Sequence, residues 1–78
     1  MLCSNWIKII PSSNCYRFYR ILLEGDLFAA WRVRCEWGRL GARHTRQLVR
    51  VFDDECAARA YLLVQERERQ RRGYQLTA

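Results

Sequence analysis

From Trp31 to Trp37 the chain alternates without a slip. Trp31, Val33, Cys35 and Trp37 take one parity, and Arg32, Arg34 and Glu36 take the other. Successive side chains of a strand point to opposite faces of a sheet. This segment therefore specifies a strand with one aromatic, apolar face and one charged face, and only the first needs a packing layer. The alternation runs into Trp37-Gly38-Arg39. There a flat indole suited to stacking precedes a residue that permits close backbone approach or a positive φ angle. A guanidinium follows, whose fork fits two phosphate or carboxylate oxygens at once.

The rest of the chain supplies partners for this strand. Trp6 to Ile10 reads as a short strand, ended by loop chemistry at Pro11-Ser12-Ser13-Asn14. Tyr16 to Leu23, rich in aromatic and branched residues, reads as a second strand, with Glu24-Gly25-Asp26 as a turn. The alternating strand is expected from Phe28 to Trp37, and Gly38 to His44 is expected as a loop with two glycines. Thr45 to Phe52 reads as a fourth strand, with Val49 and Val51 on one face and Arg46, Leu48, Arg50 and Phe52 on the other. Pairing of the third and fourth strands as a hairpin is expected to bring Arg32 and Arg34 near Arg46 and Arg50 on one face, beside the Trp37 loop.

Asp53-Asp54-Glu55 then sets acids at a helix start, where they favour the positive end of the dipole. Ala57, Ala60, Tyr61 and Val64 recur at helical spacing and are expected to face the core. From Gln65 to Arg72 the helix is polar throughout, Gly73 is its capping glycine, and Tyr74-Gln75-Leu76 is expected to return as a short edge strand. The expected fold is α+β: a small antiparallel sheet of about four to five strands with one helix packed on it. With 78 residues it forms a single domain, 1–78, whose modest core dimerisation would help to stabilise.

The net charge is +6, and thirteen of the fourteen basic residues are arginine. A basic domain attracts polyanions, nucleic acid first among them. A membrane surface fits less well, because the basic residues do not line one face of an amphipathic helix. Cys3, Cys15, Cys35 and Cys56 include no C-x-x-C pair, and His44 is the single histidine, so buried free thiols in a reducing cytoplasm are expected rather than a metal site. No signal peptide or transmembrane-length apolar run is apparent, and the expected location is cytoplasmic. An enzyme is not expected. There is no Ser-His-acid set, no P-loop and no pair of carboxylates on one face, and no cofactor is implied.

These residues resemble the WGR domain family. Asn14 followed by Arg17-Phe18-Tyr19-Arg20-Ile21 is similar to the family's Asn-x-x-x-Phe-Tyr-x-Ile strand. Asp26-Leu27-Phe28 and Trp31 resemble a stretch of short bacterial members. Trp37-Gly38-Arg39-Leu40-Gly41 fits the name motif, and Phe52, Ala57 and Arg71-Arg72-Gly73-Tyr74 resemble the closing pattern. The likeness covers about residues 9–76. It implies an antiparallel sheet carrying one helix, as in poly(ADP-ribose) polymerases, where the domain touches DNA breaks and relays that contact. It also implies sugar packing for Trp37 and phosphate or interdomain contact for Arg39. The chain departs from the pattern at Ala42-Arg43-His44-Thr45, where a glycine is frequent, and at Arg69, where a lysine is common.

The candidate interface is therefore Trp37, Gly38, Arg39 and Arg43, with Arg32, Arg34, Arg46 and Arg50 as a backbone-tracking face and Tyr74 beside them. Each has a plainer reading. Trp37 is either a rim aromatic closing the sheet or a stacking platform. Arg39 and Arg43 are either solvated or phosphate-bound, and the four strand arginines are either a solvated face or a track. Tyr74 reads first as edge packing and second as a 5′-phosphate contact. His44 reads as an exposed loop residue. The partner expected is DNA at ends or nicks, read with weak sequence preference. The alternative is a protein-docking module using the Trp37–Arg39 loop and the mixed-charge helix end, self-association included.

Overall fold

The computed structural model describes residues 2–25 and 30–77. Strands β1 (Leu2–Ile10), β2 (Cys15–Gly25), β3 (Trp31–Arg39) and β4 (Arg46–Phe52) precede a single helix, α1 (Glu55–Arg71), and a short strand β5 (Gln75–Leu76). The sheet order is β4-β3-β2-β1-β5, with every neighbouring pair antiparallel. This is the expected α+β arrangement. The expected turn residue Asp26, the strand start at Phe28 and the Asp26-Leu27-Phe28 resemblance lie outside the described residues.

Two tight turns carry the register. Pro11–Ser13 forms a 3₁₀ turn, and Asn14 closes it at φ +49°, its N–H donating to the Pro11 carbonyl at 3.0 Å. Asparagine tolerates this left-handed pose better than most residues. After β3, the Ala42 N–H donates to the Arg39 carbonyl at 3.1 Å and Gly41 takes φ +79°, the glycine conformation of a type II turn. Gly38 and Arg39, expected in the loop, instead continue the strand.

Helix α1 is fixed at both ends. The Asp54 carboxylate accepts from the Ala57 N–H at 2.8 Å, an N-cap. At the other end Gly73 sits at φ +88°, with Tyr74 N–H donating to the Arg69 carbonyl and Gly73 N–H to the Gln70 carbonyl. That is the Schellman pattern.

The core lies between α1 and one sheet face: Trp6 from β1, Tyr19, Ile21 and Leu23 from β2, Val33 and Cys35 from β3, and Ala58 and Leu62 from the helix. Trp31, Trp37, Phe52, Tyr61 and Tyr74 pack at its rim. One expectation is corrected here. Ala57, Ala60 and Val64 are exposed, while Ala58, Leu62 and Arg69 face inward, with Tyr61 half-buried beside them. Both stripes recur at helical spacing, so periodicity alone does not choose between them.

The second correction concerns the sheet faces. Arg32 pairs with Val51, Arg34 with Val49, Val33 with Arg50, and Trp37 with Arg46. Residues directly opposite share a face. Arg46 and Arg50 therefore lie on the helix side and Arg32 and Arg34 on the uncovered side. The cause is Phe52, which packs on Tyr61 at 5.4 Å between ring centroids and carries the residues of its parity to the helix side. On the uncovered face arginines meet carboxylates: Arg34 pairs with Glu24 at 3.7 Å and Arg20 with Glu36 at 3.6 Å.

Candidate functional site

The aromatic floor comes first. Tyr19 and Trp37 are cross-strand partners on β2 and β3, and their rings stack 5.7 Å apart at 14°. Tyr74 meets Tyr19 edge-on at 6.3 Å. Below them Arg69 reaches up from the last turns of α1, its guanidinium 4.0 Å from the Tyr19 ring centroid and 5.6 Å from that of Tyr74. Arg69 is only 8% exposed, and its Nε has no hydrogen-bond partner among the described residues. The ring faces hold this buried cation. Burial pushes the Tyr19 phenol above its usual range, helped by the neighbouring Cys35 thiol and opposed by Arg69. Burial likewise raises the Cys35 thiol.

Two residues beyond Trp37, Arg39 is held by the β1–β2 turn. Its Nη1 donates to the Asn14 carbonyl at 3.3 Å and its Nη2 to Asn14 Oδ1 at 3.2 Å, and its guanidinium lies 5.4 Å from the Tyr16 ring centroid. Asn14 is thus both the turn residue and the clamp.

Between these groups lies a groove of about 540 Å³, bounded by the β1–β2 turn, the β3–β4 loop and Tyr74. Arg17, Arg39, Arg46 and His44 line it along with Trp37 and Gly38. A neighbouring hollow of about 390 Å³, lined by Lys8, Arg72 and again Cys15, Arg17 and Tyr74, extends it towards the helix end. Among the described residues no carboxylate lines either. Arg17 and Arg46 form no ion pair with the described residues. Arg72 is already paired with Glu68 at 2.9 Å.

Of the residues expected at the site, Trp37, Gly38, Arg39, Arg46 and Tyr74 come together here. Arg43 is exposed in the adjoining loop without lining the groove, and Arg50 lies on the helix side but opposite Val33, towards the far end of the strands. Arg32 and Arg34 are on the other face. Gly38 does not take a positive φ. A Cβ built on it would lie 3.4 Å from Phe18 Cε1, an ordinary contact. Sequence reasoning missed Arg17, Lys8, Asn14 and Arg69. Strand parity was the available signal, because Lys8 follows Trp6 and Arg17 precedes Tyr19 by two.

Among the described residues no cluster of His, Cys, Asp and Glu could hold a metal ion, and no helix is long and apolar enough to cross a membrane. The four cysteines are free, but only Cys35 is buried. Cys3 and Cys56 are exposed, on the uncovered sheet face and the outer helix face, and Cys15 borders the groove.

A five-stranded antiparallel sheet with one helix on one side, and a basic, aromatic-floored groove at its end, defines a small α+β domain. The model of the WGR domain family matches residues 6–78, and the chain belongs to that family. No curated protein and no solved structure matches it.

Proposed function

We propose that this WGR domain is a non-enzymatic module that binds DNA at ends or nicks, through sugar and phosphate rather than base sequence. The supporting observation is the groove, where, among the described residues, Arg17 and Arg46 stand unpaired, Arg39 is pre-positioned around Trp37, and no carboxylate lines the wall. Trp37 offers its ring to a terminal sugar or base while Tyr19 backs it. Arg17, Arg39 and Arg46 meet phosphates, and Arg43 adds charge from the loop. Phosphate contacts of this kind set position without reading sequence.

The test is fluorescence polarisation of labelled intact duplex, nicked duplex and 5′-phosphorylated ends at two salt concentrations. Tighter binding to nicks or ends supports the reading. Equal, salt-sensitive binding to all three reduces it to a basic protein meeting a polyanion. A folded Trp37→Ala variant that binds nicked duplex as well as the parent removes the stacking role, since stacking is worth about 1–3 kcal/mol per base. The protein-docking alternative draws less support at the helix end, where Glu68 already neutralises Arg71 and Arg72.

A further inference from the structure

Helix α1 carries a second apolar stripe that the fold leaves uncovered. Ala57 and Ala60 are exposed, and Leu63 and Val64 are 49% and 57% exposed. At about 100° per residue all lie within roughly 60° of the Ala60 direction, opposite the buried Ala58–Leu62–Arg69 side. A helix that only closes one face of a small sheet has no need of a second stripe.

We propose that this chain forms a two-fold homodimer through the outer face of α1, with the two helices antiparallel and Ala60 on the axis. In such a pair a residue lies opposite the one equally far beyond the axis. Ala57 then faces Leu63 of the second copy, and Cys56 faces Val64, so a small side chain receives a large one at each level. Asp53, just ahead of the helix, faces Arg67. Neither Asp53 nor Arg67 has an ion-pair partner among the described residues. The complementarity in size and in charge lies within one stripe, as an isologous interface requires. Other pairings lack it. A parallel pair sets Arg67 beside Arg67, and an antiparallel pair centred on Leu63 sets it beside Arg59.

The small residues at the centre let the axes approach towards the near end of the usual 8–10 Å range. The groove residues Arg72 and Tyr74 follow the helix C-terminus, so the antiparallel pair sends the two grooves to opposite ends, roughly 33 Å apart along the axis at about 1.5 Å per residue. Both stay open. One helix pair buries less than a standard interface, and the +6 charge on each copy opposes approach, so the dimer is a weak, concentration-dependent one.

Sedimentation equilibrium on the whole chain, up to about 0.5 mM, reads the association directly. A dimer is expected, with Leu63→Asp abolishing it while far-UV circular dichroism and the melting curve stay those of a folded protein. Asp53→Arg and Arg67→Asp should each weaken association by about tenfold, and together restore it. Geometry is read by cross-linking. With Cys3→Ser and Cys56→Ala removing the other exposed thiols, Ala60→Cys should form a disulfide-linked dimer on mild oxidation, and Ala57→Cys, off the axis, should not. A monomer throughout the range, a charge swap that fails to restore association, or equal cross-linking at both positions overturns the proposal.

Discussion

The register of β3 against β4 makes a sharp prediction about which arginines meet DNA. Arg17 and Arg46 are on the groove side and unpaired among the described residues, whereas Arg34 is on the other face, paired with Glu24 at 3.7 Å. Binding to duplex DNA releases about 0.9 counterions per phosphate neutralised, and that number is the slope of log affinity against log salt. With Arg17, Arg39 and Arg46 each on one phosphate the slope is about −2.7, and a fourfold rise in salt costs about 40-fold in affinity. Arg17→Gln should flatten the slope to about −1.8, so the same rise costs only about 12-fold. Arg34→Gln should leave the slope alone. Fluorescence polarisation of a nicked duplex over a salt series measures all three proteins. If Arg34→Gln flattens the slope as much as Arg17→Gln, the charge acts as a diffuse cloud and the groove is not the site. An unchanged slope in Arg17→Gln takes that residue off the phosphates.

Four further predictions concern the scaffold. Gly41→Ala, at φ +79° with nothing within 4 Å to clash, should lose about 1 kcal/mol in urea denaturation. Gly38→Ala should be neutral or slightly stabilising, because its Cβ has ordinary room and glycine is unfavourable within a strand. Asp54→Ala removes the carboxylate that holds the Ala57 N–H and should lose about 1 kcal/mol, with a matching fall in thermal midpoint. Alkali should unfold the protein, because burial raises both the Tyr19 phenol and the Cys35 thiol. The unfolded chain releases these protons first, so the stability they contribute is complete below about pH 8.5 and falls as pH rises through about 10 and beyond. Tyr19→Phe should remove the part of the tyrosinate absorbance that appears only with unfolding.

Much of this architecture could be read before any coordinates. The clean alternation of β3, the acid-started helix and the glycine after it follow from local chemistry, and each stands where expected within a few residues. Strand pairing was the harder inference, yet its answer was present. Phe52 shares parity with Arg46 and Arg50, and Val33 opposes Arg32 and Arg34. Once both apolar residues go to the helix side, the two arginine pairs must separate. Treating like charges as one patch overrode that constraint. The helix rotation was not legible, because Ala57–Ala60–Val64 and Ala58–Leu62 satisfy the same period, and only the sheet beneath selects one. Arg69 was hidden for a different reason. Inside a run of charges nothing distinguishes the one guanidinium that packs against the Tyr19 ring fifty residues before it and the Tyr74 ring five residues on.

Composition alone shows that the chain is basic, and the fold decides where that matters. Glu24 and Glu36 are spent on Arg34 and Arg20 across the uncovered face, Glu55 on Arg59, and Glu68 on Arg71 and Arg72. None of these carboxylates lines the groove beside Trp37. Exposed pairs of this kind add little stability, about 0–1 kcal/mol each. Their larger effect is to neutralise arginines of the uncovered face and the helix while leaving Arg17 and Arg46 in the groove without an ion pair among the described residues. Arg69 lies beneath, a buried cation with no carboxylate partner among the described residues, in a setting where water screens it poorly. A buried charge held by ring faces is costly for the fold, and a sequence selected only for stability would do better with an apolar side chain there. Under the proposed function, its position beneath the Tyr19–Trp37 stack and beside Tyr74 adds positive charge under the aromatic floor that a phosphate group would approach.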